Sequence, residues 1–127
     1  MRIPEELRYT NDHEWVRVED GRARVGITEY AQDALGDIVF IELPAVGDTT
    51  EAASQFGEVE STKSVSDLFA PVSGTITEIN DTLAESPALL NTDPYGEGWL
   101  CVIEMTDAAQ VEALLDADAY KALTGES

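Results

Sequence analysis

The sequence predicts a mainly β protein with a few short helices, built as a sandwich or a flattened barrel. Its strand-like segments are short and numerous, and residues typical of turns separate them. The pair Asp20-Gly21 stands between two such segments and marks a tight hairpin. The chain has 127 residues with 43% hydrophobic content, which suits one modest core. We therefore expect residues 1–127 to form a single domain.

The first elements have clear boundaries. Strands are predicted at residues 15–18 and 22–27, on either side of the hairpin turn. Thr28 then precedes a helix predicted over residues 29–35, because a threonine hydroxyl can accept from an amide of the first turn. Gly36 ends this helix, since glycine readily adopts the left-handed backbone of a helix C-cap.

The central elements surround a lysine. A strand at residues 38–43 has apolar residues on both faces, which predicts that both faces are buried. Strands at residues 55–60 and 65–69 flank a small polar run, which indicates a second hairpin. Lys63 lies at its tip and is one of only two lysines in the chain. An amine at such a tip is accessible for covalent modification.

The second half of the chain contains fewer strands. Strands are predicted at residues 75–79 and 99–105, and the connection between them, residues 80–98, is expected to hold at most one helical turn, near residues 88–91. Asp107 with Gln110 forms a possible capping box for a helix extending to Leu115. Asp116 or Asp118 starts a further helix, so that about three short helices are expected.

The charge of the chain is strongly negative. It carries 26 acidic and 7 basic residues, for a formal net charge of −19 at pH 7. The acidic residues are spread along the chain, and at ~1 M salt, where the Debye length is about 3 Å, their repulsion would be screened. We therefore expect a halophilic protein from a cytoplasm at molar salt; an acidic face for a basic partner is the alternative. Nucleic-acid binding is disfavoured because it needs a basic surface.

Other residues argue against several classes of protein. The apolar runs are short and the first residues lack a signal-peptide core, so we expect neither export nor a membrane span. One histidine and one cysteine cannot build a usual zinc site or a convincing Cys-His pair. We interpret Cys101 as a buried apolar residue and His13 as a residue that orients its own loop. No catalytic residue and no metal ligand are predicted.

A lysine can also act as a Schiff-base nucleophile, which would make the chain an enzyme. That role requires a desolvated amine or a neighbouring cation. Lys63 instead has acidic neighbours in Glu58, Glu60 and Asp67. This setting suits a lysine that another enzyme recognises and modifies.

Four blocks of sequence, in order along the chain, support a more specific interpretation. Residues 9–16 read Tyr-Thr-Asn-Asp-His-Glu-Trp-Val, and residues 25–40 contain Val-Gly-Ile-Thr-Glu-Tyr-Ala-Gln and Leu-Gly-Asp-Ile-Val-Phe. Residues 57–74 surround Lys63, and residues 90–100 contain Pro-Tyr-Gly-Glu-Gly-Trp. Together they resemble the family of glycine cleavage system H proteins along nearly the whole chain. The resemblance implies the barrel-sandwich hybrid fold of lipoyl and biotinyl carriers, with a C-terminal helical segment.

The same resemblance implies a function. Lys63 would carry lipoate in amide linkage, as N6-lipoyllysine, and the chain would be a carrier rather than an enzyme. Glycine decarboxylase (P protein) would load an aminomethyl group onto the arm, and the tetrahydrofolate-dependent aminomethyltransferase (T protein) would take it. Dihydrolipoamide dehydrogenase (L protein) would reoxidise the arm, and a lipoate-attaching enzyme would be a further partner.

The resemblance also assigns expected roles to four acidic residues. Glu60, three residues before Lys63, matches the residue offered to lipoate-attaching enzymes. Glu14 and Asp67 match positions expected to hold the loaded arm. Asp12 occupies a third such position, where the family often has a small hydroxyl residue.

Several alternatives remain. An H-like protein that relays lipoate to other complexes would keep the cofactor and change its use, and a non-lipoylated binding module would lack the cofactor. Biotin is a distant alternative because Thr62 and Ser64, rather than methionines, flank Lys63. Attachment by a ligase or by octanoyl transfer, and the oligomeric state, are left open.

Overall fold

The computed structural model describes residues 2–125, which form two antiparallel sheets and several short helices. The six-stranded sheet has the order β1-β2-β3-β9-β8-β5, and the three-stranded sheet has the order β4-β6-β7. The strands are β1 Arg8–Tyr9, β2 Glu14–Glu19, β3 Arg22–Ile27, β4 Ile38–Glu42, β5 Thr49–Thr50, β6 Gln55–Ser61, β7 Val65–Phe69, β8 Gly74–Ile79 and β9 Cys101–Met105. The helices are α1 Glu29–Leu35, α2 Thr82–Glu85, α3 Leu89–Thr92, α4 Ala109–Glu112 and α5 Ala117–Thr124. The predicted fold class, mainly β with a C-terminal helix, is confirmed.

The main core lies between the two sheets. The three-stranded sheet contributes Ile38, Ile41, Val59 and Leu68 from its inward face. The six-stranded sheet contributes Val16, Val25, Ile76 and Ile103, among others. A second cluster, which contains Tyr9, Trp15, Tyr95 and Tyr120, packs the first strands against α5. Within residues 2–125, no helix has the length and apolar character needed to cross a membrane.

The first hairpin and first helix form as predicted. Strands β2 and β3 are joined by Asp20 and Gly21, with φ values of 50° and 78°, as a primed two-residue turn requires. The Thr28 Oγ1 accepts from the Ala31 amide at 3.2 Å, so Thr28 caps α1. Gly36, with φ of 83°, ends the helix.

The prediction that β4 is buried on both faces is wrong. Ile38 and Ile41 face the core, whereas Val39 and Phe40 are exposed. The three-stranded sheet is covered on one face only, and a bulge between Ile38 and Phe40 places an extra residue in β4. The continuous apolar run in the sequence therefore led us to predict more burial than this strand has.

Two predictions about helices also need correction. The connection over residues 80–98 contains two short helices, α2 and α3, which bury Leu83 and Leu90. The expected capping box does not form, because the Gln110 Oε1 accepts from the Ser73 amide at 2.7 Å instead. Helix α4 ends at Glu112 rather than at Leu115, and the described residues hold five helices instead of about three. Asp116 caps α5 as predicted, accepting from the Ala119 amide at 2.8 Å.

Candidate functional site

The hairpin with Lys63 at its tip is present, and a buried serine builds its turn. Strands β6 and β7 pair antiparallel, and the turn residues Thr62, Lys63 and Ser64 are exposed. The Ser61 Oγ accepts from the amides of Lys63 and Ser64, each at 3.1 Å. Side chains of this type stabilise turns by bonding to nearby backbone groups. This turn has no Asn-Gly or Asp-Gly pair, and Ser61 stabilises it instead. The position of Ser61, one residue before the polar turn, could have indicated this role.

The tip of the hairpin rests on the segment that joins α1 to β4. The Thr62 amide donates to the Asp37 carbonyl at 3.0 Å. The Lys63 stem lies over the Gly36 backbone, where an added Cβ would come 3.2 Å from the Lys63 Cε. Gly36 therefore leaves room for the lysine as well as ending the helix.

Asn91 holds that supporting segment in place, a role that the sequence analysis missed. Its Nδ2 donates to the Gly36 carbonyl at 2.8 Å and to the Gln32 Oε1 at 3.0 Å. Its Oδ1 accepts from the Ile38 amide at 2.9 Å. One side chain from α3 thereby fixes the end of α1 and the start of β4, directly beneath Lys63.

A cavity of about 320 Å³ brings two of the predicted arm-docking residues, Asp12 and Glu14, together. Its remaining walls are largely apolar. They are formed by Tyr9, Ala52, Ala53, Ala70, Pro71, Ala113, Leu114 and Leu115, with Thr10, Asn11 and Gln110 adding polar atoms. The cavity therefore combines apolar walls with carboxyl groups.

Glu14 is buried within this site. Its Oε2 accepts from the Phe69 amide at 2.8 Å, and its Oε1 accepts from the Thr10 hydroxyl at 3.1 Å. These bonds favour the carboxylate, but burial is the larger effect and, with a smaller contribution from Asp12, raises the pKa of Glu14 from 4.5 to about 8. A carboxyl group with this pKa is mostly protonated at pH 7, and a cation placed beside it would favour its ionised form.

Asp67, the third predicted docking residue, is not among the residues lining this cavity. It is exposed on the outward face of the three-stranded sheet, where its Oδ1 accepts from the Gln55 Nε2 at 3.0 Å. Two residues further along the same strand, Phe69 donates to Glu14. Strand β7 thus connects Asp67 to the cavity.

Glu60, the predicted recognition residue, is exposed on β6. It is paired with Phe40 on β4 and with Val65 on β7. Cross-strand partners project from the same face of a sheet. The carboxylate is therefore flanked by two exposed apolar side chains, three residues before Lys63.

His13 and Cys101 have surroundings that fit structural roles. The His13 Nδ1 lies 2.8 Å from the Tyr120 hydroxyl, and its ring stacks on Tyr30 with centroids 4.4 Å apart. Desolvation lowers the pKa of His13. Cys101 is fully buried, which raises the pKa of its thiol to about 12 and disfavours the reactive thiolate.

Comparisons of the sequence and of the structure with known proteins point to the same family. A family profile described as Glycine cleavage H-protein matches residues 7–127. A glycine cleavage system H protein from Bacteroides thetaiotaomicron is 56% identical over 123 residues, covering 97% of this chain and 98% of that protein. Its counterpart from Mycobacterium avium is 59% identical over 124 residues, covering 94% of each. A crystal structure of a glycine cleavage system H protein from Mycobacterium marinum superposes with a TM-score of 0.90 at 49% identity, covering 97% of this chain and 99% of that one.

Proposed function

The chain belongs to the glycine cleavage H-protein family, and from this premise we propose that Lys63 is the residue that carries its lipoyl group. Proteins of this family are lipoate carriers, and the chain is a carrier component of the glycine cleavage system, with no catalytic role of its own. The observation that supports Lys63 is its position at an exposed hairpin tip, in a turn fixed by Ser61.

The surroundings of Lys63 fit an acylated lysine. The stem lies over a glycine, so that no side chain at position 36 obstructs it. In the attachment reaction an amide forms between the Lys63 Nζ and the carboxyl carbon of an activated lipoyl donor. The donor's bond to its leaving group breaks with the electron pair, and the ammonium loses two protons in total. Lys63 supplies the nucleophile, and the attaching enzyme supplies the activated donor.

Membership of the glycine cleavage system implies three partners: glycine decarboxylase, the aminomethyltransferase and dihydrolipoamide dehydrogenase. When bound, lipoate supplies a dithiolane that accepts an aminomethyl group from glycine and passes it on to tetrahydrofolate. The chain keeps this group tethered, which replaces free diffusion between enzymes with a high local concentration. A lipoate-attaching enzyme is a fourth partner under this proposal.

We further propose that the cavity containing Asp12 and Glu14 receives the end of the loaded arm. Its apolar walls suit an aliphatic chain, and its two carboxyl groups suit a cationic amine. An approaching cation favours the ionised form of Glu14, so that binding is coupled to the release of a proton from that carboxyl group. Asp67, on the strand that leads to the cavity, is an additional candidate for contacting the arm.

Peptide-resolved mass spectrometry of the protein from its native host tests the attachment site. The expected result is a lipoyl or octanoyl adduct on Lys63, with Lys121 unmodified as the internal control, since these are the two lysines of the chain. Bare Lys63 in cells that lipoylate other proteins would contradict the proposal. A lipoyl adduct on a protein that glycine decarboxylase does not load would favour a lipoate relay instead.

The localisation proposed is a cytoplasm with molar salt. The support is the net charge of −19 together with the scarcity of ion pairs. Within residues 2–125 only Arg2 with Glu29 and Arg24 with Glu19 form salt bridges. Most acidic side chains in this range therefore lack a cationic partner, and screening by salt would stabilise the folded chain.

A further inference from the structure

Three large hydrophobic side chains are exposed beside the hairpin tip. Val39, Phe40 and Val65, which we call the flank patch, are 50%, 56% and 58% exposed. Phe40 and Val65 lie in the same cross-strand row, with Glu60 between them. Phe40 and Val65 thus flank a carboxylate on the outward face of the three-stranded sheet, and Val39 is exposed next to Phe40 in the chain.

These three side chains lie outside the main core. The core lies on the opposite face of the same sheet, where Ile38, Ile41, Val59 and Leu68 are buried. At least half of each side chain at 39, 40 and 65 faces solvent, so about half of their apolar surface lies outside the packing of the fold. Exposed apolar side chains grouped around a charged one are typical of a binding surface.

We propose that the flank patch, with Glu60 at its centre, is the surface bound by the enzyme that acylates Lys63. The proposal rests on the attachment site proposed above. Its partner is a protein surface with an apolar hollow for Phe40 and a cationic side chain opposite Glu60, because a large aromatic residue beside a charge often dominates an interface.

The chemistry of attachment selects this partner over the others. An acylating enzyme must bring its activated donor to the Lys63 Nζ. That atom lies within the length of one lysine side chain of the protein backbone. It must therefore cover the tip and the strand residues that flank it, including Phe40, Glu60 and Val65. An enzyme that acts on the far end of the arm has no such requirement.

The test compares two double variants, each of which replaces two exposed hydrophobic residues with threonine. Phe40→Thr with Val65→Thr alters the flank patch, whereas Val18→Thr with Val46→Thr alters two hydrophobic residues that are 51% and 60% exposed elsewhere. Each protein is incubated with the host's purified lipoate-attaching enzyme and its acyl donor, and initial rates of acylation give KM and kcat. Thermal melting shows that both variants are folded.

We expect the flank variant to raise KM for the carrier by about tenfold or more, as loss of an interface anchor does, with kcat largely retained. The control variant should stay within about twofold of the unaltered protein, as expected for substitutions outside the interface. Calorimetry then compares the same proteins with Lys63→Arg added, which prevents turnover. The flank variant should bind the enzyme more weakly than the unaltered patch by the same factor.

Unchanged KM and binding in the flank variant would overturn this inference while leaving the attachment site intact. Normal acylation combined with impaired aminomethyl transfer would overturn it as well, because the patch would then serve a different partner. Failure of the unaltered chain to be acylated at Lys63 would instead remove the proposed function, and the inference with it. The three results are distinguishable: the first two are read from the flank variant, in acylation and in aminomethyl transfer, and the third from acylation of the unaltered chain.

Discussion

The Glu14 Oε2 accepts a hydrogen bond from the Phe69 amide at 2.8 Å. This contact joins β2 of the six-stranded sheet to the end of β7, the strand that follows Lys63. The lysine hairpin and the proposed arm cavity are therefore connected through one buried carboxyl group.

The first prediction concerns the pH dependence of stability. Because burial raises the pKa of Glu14 from 4.5 to about 8, the folded state binds a proton that the unfolded state has released between these values. Stability contributed by this group is thus complete below about pH 4.5 and declines as the pH rises towards 8, by an amount on the order of a few kcal/mol. Denaturant unfolding from pH 5 to pH 9 measures the decline.

Glu14→Gln provides the matched control for that decline. A glutamine keeps the shape of the side chain, can accept from the Phe69 amide and can donate to the Thr10 hydroxyl, but it does not titrate. The difference in unfolding free energy between the variant and the unaltered chain should therefore grow in the variant's favour with rising pH. A difference that is constant from pH 5 to pH 9 would show that Glu14 titrates at its ordinary pKa.

The second prediction concerns the turn at Lys63. Ser61→Ala removes the acceptor for two amides and should destabilise the fold by about 1–2 kcal/mol. Amide hydrogen exchange should accelerate at Lys63 and Ser64 more than in the core strands. Ser54→Ala, at an exposed position, should leave both quantities unchanged; equal exchange at the turn in all three proteins would contradict the role of Ser61.

The third prediction concerns the support beneath the hairpin. Asn91→Asp removes two donated hydrogen bonds and places a carboxylate against the Gly36 carbonyl. We expect faster exchange of the Thr62 amide, which bonds to Asp37, and a KM for lipoate attachment raised in inverse proportion to the fraction of molecules whose tip remains ordered.

Asn80→Asp is the control for Asn91. The Asn80 Nδ2 also donates twice, to the Glu97 and Trp99 carbonyls at 2.8 Å each. This variant should lose a similar amount of stability while keeping the Thr62 exchange rate and the KM of attachment. If both variants affected attachment equally, Asn91 would act through global stability alone.

The fourth prediction concerns salt. Raising KCl from 0.1 M to ~2 M should raise the Tm by an amount on the order of 5–10 °C, because screening removes repulsion among unpaired carboxylates. Sucrose at equal osmolality provides the control for exclusion of solute from the protein surface. A Tm that rises equally in sucrose, or not at all in KCl, would contradict a halophilic adaptation.

Features set by adjacent residues were predictable from the sequence. Thr28 and Gly36 define both ends of α1, and Asp20-Gly21 defines the first hairpin, because caps and tight turns depend on local backbone chemistry. Lys63 was located by its flanking strands and by family resemblance. The supporting contacts from Ser61 and Asn91 are what the structure adds to that site.

Features set by distant residues were not predictable in this way. The exposure of Val39 and Phe40 depends on which face of the small sheet is covered. Gln110 bonds to the Ser73 amide, 37 positions away in the chain, instead of capping its own helix. The meeting of Asp12 and Glu14 in one apolar cavity likewise depends on packing between the loop before β2 and the segments around Ala70 and Leu115.

The Lys63 side chain lies against the end of α1. Gly36, beneath its stem, lies at the carbonyl end of α1, and the last turn of that helix contains no basic residue. The partial negative charge of a helix C-terminus attracts a cation. Amide formation abolishes that cation and shifts the net charge from −19 to −20, since 26 acidic residues would then face six basic ones. If Lys63 is the attachment site, acylation would therefore also remove the attraction between its ammonium group and the carbonyl end of α1.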